Sequence, residues 1–282
     1  MFSHSSKLLV VWFSLILAAT AHGQSTTTPV GATVSADTSD PKLIMTAVEQ
    51  RATPDKVKSR LLLQITDRSG RKRERGLRSW SIESGQADRQ LMVFDSPADV
   101  QGTSLLSIDH DDPKTDDDQW LYLPSLKKAT RISSGDKSGS FMGTDLSYSD
   151  MTRSDVSQYE YTMKKQSVQV AGEDCWLIEA RPITTKAKEE TGYVKSHLWV
   201  SKQKLMPLQI KAWVRDGRKL KYIKFGEVKK IGDSWMAHKI SARTTRNKAV
   251  LSTTVIQMVD VSADNADVDG TFFDQNGQWW TR

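Results

Sequence analysis

The chain has little of what covalent or metal chemistry uses. Of its 282 residues one is cysteine and five are histidine. A single cysteine forbids an internal disulfide. Cys175 lies in the strand-like run Asp174-Cys-Trp-Leu-Ile-Glu-Ala180, with no histidine beside it to take its proton. It reads as a small buried hydrophobe, not a nucleophile. His110, His197 and His238 stand on separate segments, and none is spaced with another histidine or the cysteine as metal ligands are. There is no Gly-x-Ser-x-Gly elbow, and Gly135-Asp-Lys-Ser-Gly139 lacks the order of a phosphate loop. The acidic run from Asp109 to Asp118 is interrupted by Pro113-Lys114 and lacks EF-hand spacing, so it reads as a solvated hairpin loop. No carboxylate pair can be assigned as acid and base from spacing. These absences point to a protein that is not an enzyme and carries no cofactor or metal.

Long apolar runs are also scarce. The one candidate, Leu8 to Ala19, follows Lys7, is broken only by Ser14, and precedes small residues at Ala19, Ala21 and Gly23. That is the pattern of a cleavable signal peptide over residues 1–23, short of the roughly 20 apolar residues a spanning helix needs. No cysteine lies near the cleavage site to take a lipid anchor. Residues 24–40 are rich in Ser, Thr, Ala and Gly and read as a flexible linker to a single domain over 41–282. The formal charge is +6, but export makes nucleic acid an implausible partner. The densest basic knot, Arg71-Lys-Arg-Glu-Arg75, sits beside the turn signal Ser69-Gly70. It fits a solvated turn, or attraction to an anionic membrane surface or an acidic partner.

What the chain does have is strand pattern. A short amphipathic helix is expected first, with Asp40 as cap, Pro41 in the first turn and Leu43, Ile44, Ala47 and Val48 on one face. Alternating runs then follow at 60–66, 79–83, 89–95, 104–109, 195–201, 209–215, 219–228, 235–245 and 249–259. Turn signals such as Asp216-Gly217 and Gly232-Asp233 separate them. The fold class is mainly β, a meander of about ten or more antiparallel strands. On two of these runs Trp199 and Trp213 fall on the more polar face. If paired, they either stabilise the sheet or form a partner-docking patch. Trp120-Leu-Tyr-Leu123 is apolar on both faces and needs cover. The helix covers little, and the Gly/Ser-rich stretch 136–155 is the other sizeable cover in view. A curved sheet with a loop across its mouth would leave an apolar cavity.

The ordered series Asp118-Gln-Trp-Leu-Tyr-Leu-Pro-Ser-Leu126, Arg131-Ile132, Phe141-Met-Gly-Thr-Asp145, Tyr148, Asp150-Met151, Gly172, Cys175-Trp-Leu-Ile-Glu179, Leu198-Trp-Val-Ser201, Leu205-Met-Pro-Leu208, Gly217 and Thr271-Phe-Phe273 spans nearly all of the exported chain. It resembles the outer-membrane lipoprotein-sorting proteins of the LolA-like superfamily, in the branch found beside RND-type exporters. The resemblance implies a half-open antiparallel β-barrel, with short helices and loops over its concave face. It implies a periplasmic location in a Gram-negative envelope. It also implies a hydrophobic cavity for lipid or lipoprotein acyl chains, an inner-membrane exporter of RND or ABC type, and an outer-membrane acceptor. In that frame Trp120, Tyr122, Leu123, Phe141 and Met142 are the expected cavity residues. Gly135, Gly139 and Gly143 would let the cover move. Trp199 and Trp213 are the expected docking residues of the alternative, an accessory that carries no lipid.

Overall fold

In the computed structural model residues 34–83, 87–112, 115–274 and 278–281 are described. The expected signal peptide, most of the linker and the Ser84-Gly85 turn lie outside them. Helix α1 (Pro41–Glu49) starts where the cap chemistry places it: the Asp40 carboxylate accepts from the N–H of Lys42 at 2.9 Å and of Leu43 at 3.2 Å. Its buried face is Ile44, Met45, Ala47 and Val48. Leu43, expected on that face, is 53% exposed, and Met45 takes its place.

Thirteen strands follow: β1 (Lys56–Asp67), β2 (Lys72–Glu83), β3 (Ala87–Ser96), β4 (Ser104–His110), β5 (Asp118–Leu123), β6 (Lys128–Arg131), β7 (Tyr159–Val170), β8 (Glu173–Pro182), β9 (Tyr193–Ser201), β10 (Pro207–Val214), β11 (Lys219–Ile231), β12 (Ser234–Arg246) and β13 (Ala249–Ala263). A second helix, α2 (Thr185–Thr191), lies between β8 and β9. All strands join one antiparallel sheet in the order β6-β5-β4-β3-β2-β1-β13-β12-β11-β10-β9-β8-β7. Among the described residues the β1–β13 pairing is the one break in a simple meander, and β6 and β7 are the free edges. The hairpins form where the turn residues demand them: Gly217, between β10 and β11, has a φ of 60°, which a side chain disfavours.

A sheet of this many twisted strands curls. The curl is visible in its packing. Side chains from strands far apart in the sheet meet in one cluster: Leu63 (β1), Leu77 (β2), Phe94 (β3), Leu105 (β4), Ile223 (β11), Ala242 (β12) and Ile256 (β13). The face they share is therefore concave. The architecture is the half-open barrel that the strand pattern and the resemblance led one to expect.

Candidate functional site

The decisive feature follows from topology. The chain leaves the sheet at one free edge, β6, and re-enters it at the other, β7. Residues 132–158 therefore have to cross the open mouth. They contain no strand and no α-helix, only single 3-10 turns at Ser134–Asp136, Phe141–Gly143, Tyr148–Met151 and Val156–Gln158. Beyond backbone bonds at its two ends, from the Ile132 N–H to Gln119 O and from the Ile183 N–H to Gln158 O, side chains fix this cover to the sheet. The expectation that 136–155 supplies cover is met in position.

Phe141 and Leu146 hang from it into the concave cluster, at 1% and 4% exposure. The Phe141 ring lies 5.9 Å from Phe94 and meets Tyr148 edge-on at 5.8 Å. Burying such side chains is worth about 1.5–3 kcal/mol each. The concave face is thus packed by the cover's own side chains.

Polar contacts fix the cover to both halves of the sheet. From β2, the Arg75 guanidinium donates to the Met142 carbonyl and lies over the Phe94 ring at 5.8 Å. Burial, and after it the neighbouring Arg73 charge, lower the Arg75 pKa from its ordinary value. From β5, the buried Gln119 amide donates to Tyr148 O at 2.9 Å. From β13, Ser252 and Thr254 donate to the buried Asp145 carboxylate at 2.5 and 2.8 Å, and the Asp145 N–H donates to Thr254 Oγ1 at 2.9 Å. Asp150 forms a second hub. It accepts from Tyr193 Oη of β9 at 2.7 Å, Lys221 Nζ of β11 at 2.8 Å and the Ser147 N–H at 2.7 Å. Burial, then the Asp150 charge, push the Tyr193 phenol well above its ordinary pKa. At the far end Arg153 reaches Asp88 and Asp109, and the Val156 N–H donates to Glu49 of α1. The cover turns back on itself at Met142-Gly143, where φ is 49° and 74°, a left-handed pair that glycine eases at its second position.

The five expected cavity residues do not come together. Phe141 and Met142 belong to the concave cluster. Leu123 shares its strand face with Gln119, whose side chain points to the cover, so it too lies on the concave side, near the free edge. Trp120 and Tyr122 face the other way. They pack with Trp80, Leu91, Val93, Leu106 and Ile108 beneath a C-terminal segment carrying Val268, Phe273 and Trp279. The Tyr122 and Trp280 rings stack at 4.7 Å. Alternation puts Trp120 and Tyr122 on one face but does not say which. The C-terminal cover was missed because its aromatics have no period, although Phe272-Phe273 and Trp279-Trp280 are dense enough to have signalled it.

Trp199 and Trp213 likewise do not pair. Trp199 stands opposite Gln209, and Trp213 opposite Lys195. His197 sits between them, 6.2 Å from Trp199 and 4.7 Å from Trp213, with its ring nitrogen 3.0 Å from Glu179. Cations cover the rings on this outer face: Lys195 and Lys211 lie over Trp213 at 4.7 and 4.5 Å, and Arg243 lies over Tyr222 at 4.8 Å. Cys175 is fully buried, and burial pushes its thiol up to about 11. The acidic run is less solvated than expected, since Asp118 pairs with His110 and Arg131, and Asp116 with Lys186. No cluster of three potential metal ligands occurs among the described residues.

Residues 86–277 match a family model whose description is that of an uncharacterized protein. A DUF1329 family protein from Desulfovibrio piger is 30% identical and superposes with a TM-score of 0.74, over 84% of this chain and 98% of that one. This chain belongs to the DUF1329 family. An outer membrane lipoprotein-sorting protein domain from Vibrio parahaemolyticus is similar at 28% identity and a TM-score of 0.74, over 84% and 97% of the two chains. A LolA superfamily protein from Nitrosomonas europaea, 16% identical with a TM-score of 0.62 over 84% and 98% of the chains, shares the fold. No curated protein matches. The packed mouth and the side-chain contacts that hold it make an open sheet whose apolar concavity is filled by a segment of the same chain.

Proposed function

We propose that this DUF1329 protein is a periplasmic, non-enzymatic carrier that shields the acyl chains of a lipid or lipoprotein between an inner-membrane exporter and the outer membrane. One observation carries the reading: the concave apolar face is covered by a strandless segment that joins the two free edges of the sheet. If Phe141 and Leu146 swing out, an acyl chain takes their place against Leu63, Leu77, Phe94 and Ile256. Each CH2 moved from water into that cluster contributes about 0.8 kcal/mol, so a chain of about ten offsets the loss of both side chains with a margin. The margin then opposes the polar latches at Arg75, Asp145 and Asp150. Phe141, Met142 and Leu123 are the members of the expected set that this reading retains; Trp120 and Tyr122 become structural. The fold relatives named for lipoprotein sorting support the class of cargo.

The test is native mass spectrometry of protein purified without detergent from the periplasm, followed by lipid extraction. Bound acyl lipid, increased when Phe141→Ala opens space, is the expected result. Lipid-free protein that also fails to take up a fluorescent fatty acid in the Phe141→Ala form would sink the carrier reading. The outer face favours a second reading, an accessory that docks on an RND-type or ABC envelope transporter. Cations held over Trp213 and Tyr222 offer a basic, aromatic surface. Under that reading Trp213→Ala abolishes co-purification with the transporter while lipid content stays at zero.

A further inference from the structure

The β1–β2 hairpin places four cations within five residues, Arg71, Lys72, Arg73 and Arg75, beside the part of the cover that turns at Met142-Gly143. They are not equivalent. Arg71 is held by Asp67 at 2.8 and 2.9 Å. Arg75 is held by the Met142 carbonyl. Lys72 and Arg73 are exposed, and no carboxylate lies within ion-pairing distance of either among the described residues. With Asp67 and Arg71 they line an open recess of ≈ 550 Å³. The Arg73 guanidinium stands at the cover itself, within 3.7–3.9 Å of where a Cβ on Gly143 would lie. Alternation along β2 puts Arg73 on the same concave-side row as Arg75 and Leu77. The Arg73 charge therefore sits at the rim of the apolar cluster, two same-face positions along β2 from Leu77, the partner of Phe94.

We infer that this recess receives the anionic head of the carried amphiphile, a phosphate or carboxylate bound by Arg73 on the cover side, with Lys72 lining the recess from the other row of the strand, while the acyl chain occupies the position of Phe141. The inference rests on the carrier reading and specifies its cargo. An anion here would relieve the repulsion between Arg73 and Arg75, and a forked guanidinium suits paired oxygens. A closed cover leaves the recess open, so the head can dock before the chain enters.

The experiment is calorimetric titration of the full exported protein with dioctanoyl-phosphatidylglycerol, uncharged dioctanoylglycerol and inorganic phosphate, at low salt. The expected result is roughly tenfold tighter binding of the phosphatidylglycerol than of the dioctanoylglycerol, the size of about one charge-assisted hydrogen bond. Lys72→Gln/Arg73→Gln should reduce that ratio to about one, and the charge-matched control Lys224→Gln/Lys229→Gln should preserve it. Both pairs are exposed, so folding is not at issue. Equal binding of the two lipids overturns the inference and leaves the carrier reading standing. So does a preference that survives in the Lys72/Arg73 variant, which would mark a general effect of net charge. Inorganic phosphate binding as tightly as the lipid overturns it in favour of a free-anion site. No binding of either lipid removes the carrier reading and the inference together.

Discussion

Replacing Thr254 by valine tests whether residues 132–158 are a cover or part of the core. The side chains are nearly the same shape, so packing at this fully buried position is kept. What is lost is one hydroxyl that serves twice: it donates to the Asp145 carboxylate at 2.8 Å and accepts the Asp145 N–H at 2.9 Å. Leaving one buried polar group unsatisfied costs about 1–3 kcal/mol; the Asp145 N–H loses its partner and the carboxylate keeps only Ser252, so the loss is about 2–4 kcal/mol. A fixed core has to bear that cost in global stability. A cover can lift and let water satisfy Asp145 instead. A shift of about 2–4 kcal/mol in the closed-to-open equilibrium raises the open population about 30- to 1,000-fold. Hydrogen exchange measures this directly. Peptides spanning 139–152 should exchange faster by that factor, while peptides from β1 and β13 keep their protection and uptake of a fluorescent fatty acid accelerates. If the cover and the flanking strands lose protection together, the segment is an integral layer of the core, and the latch reasoning fails.

Three further outcomes follow from the same structure. Burial, and after it Asp117, raise the Asp109 carboxyl to about 7, so the folded chain holds this proton more tightly than the unfolded chain. Its contribution to stability is therefore present at low pH, falls as pH climbs from about 4 to about 7, and then levels; thermal melts across that range should show a slope that Asp109→Asn removes, and parallel curves would refute the assignment. Trp279, 1% exposed under the C-terminal segment, should cost about 3–5 kcal/mol in denaturant titrations when changed to alanine. A loss below about 1 kcal/mol would mean that the segment is not part of the outer core. Cys175, buried and with its thiol pushed up to about 11, should resist iodoacetamide at pH 8 in the native protein and react fully in urea; rapid native labelling would contradict that burial.

The chain's pattern made its local structure legible. Asp40-Pro41 marked the start of α1, and alternation marked the strands, because capping and pleating depend on neighbours a few residues apart. The stretch 136–155 stood out as cover for a negative reason, having glycines and aromatics but no strand period. Alternation could not say on which side of the sheet Trp120 and Tyr122 lie. It could not say that His197 comes between Trp199 and Trp213, since the register shift at Pro207/Gln209 sets Trp199 opposite Gln209 and Trp213 opposite Lys195. Nor could it find Asp145, Asp150 and Lys221, which look like ordinary surface charges in sequence. Their burial comes from partners as far as 109 residues away, Thr254 among them.

Local chemistry along the sequence thus determined the elements of this protein, its poverty in catalytic groups and the segment available to close it. Only the tertiary structure decided which face that segment closes. The pairing of β1 with β13 brings the two ends of the meander side by side and leaves β6 and β7 as opposite free edges, so that the chain between them must cross the mouth. That pairing depends on the curl and register of the whole sheet, which no window of neighbouring residues contains.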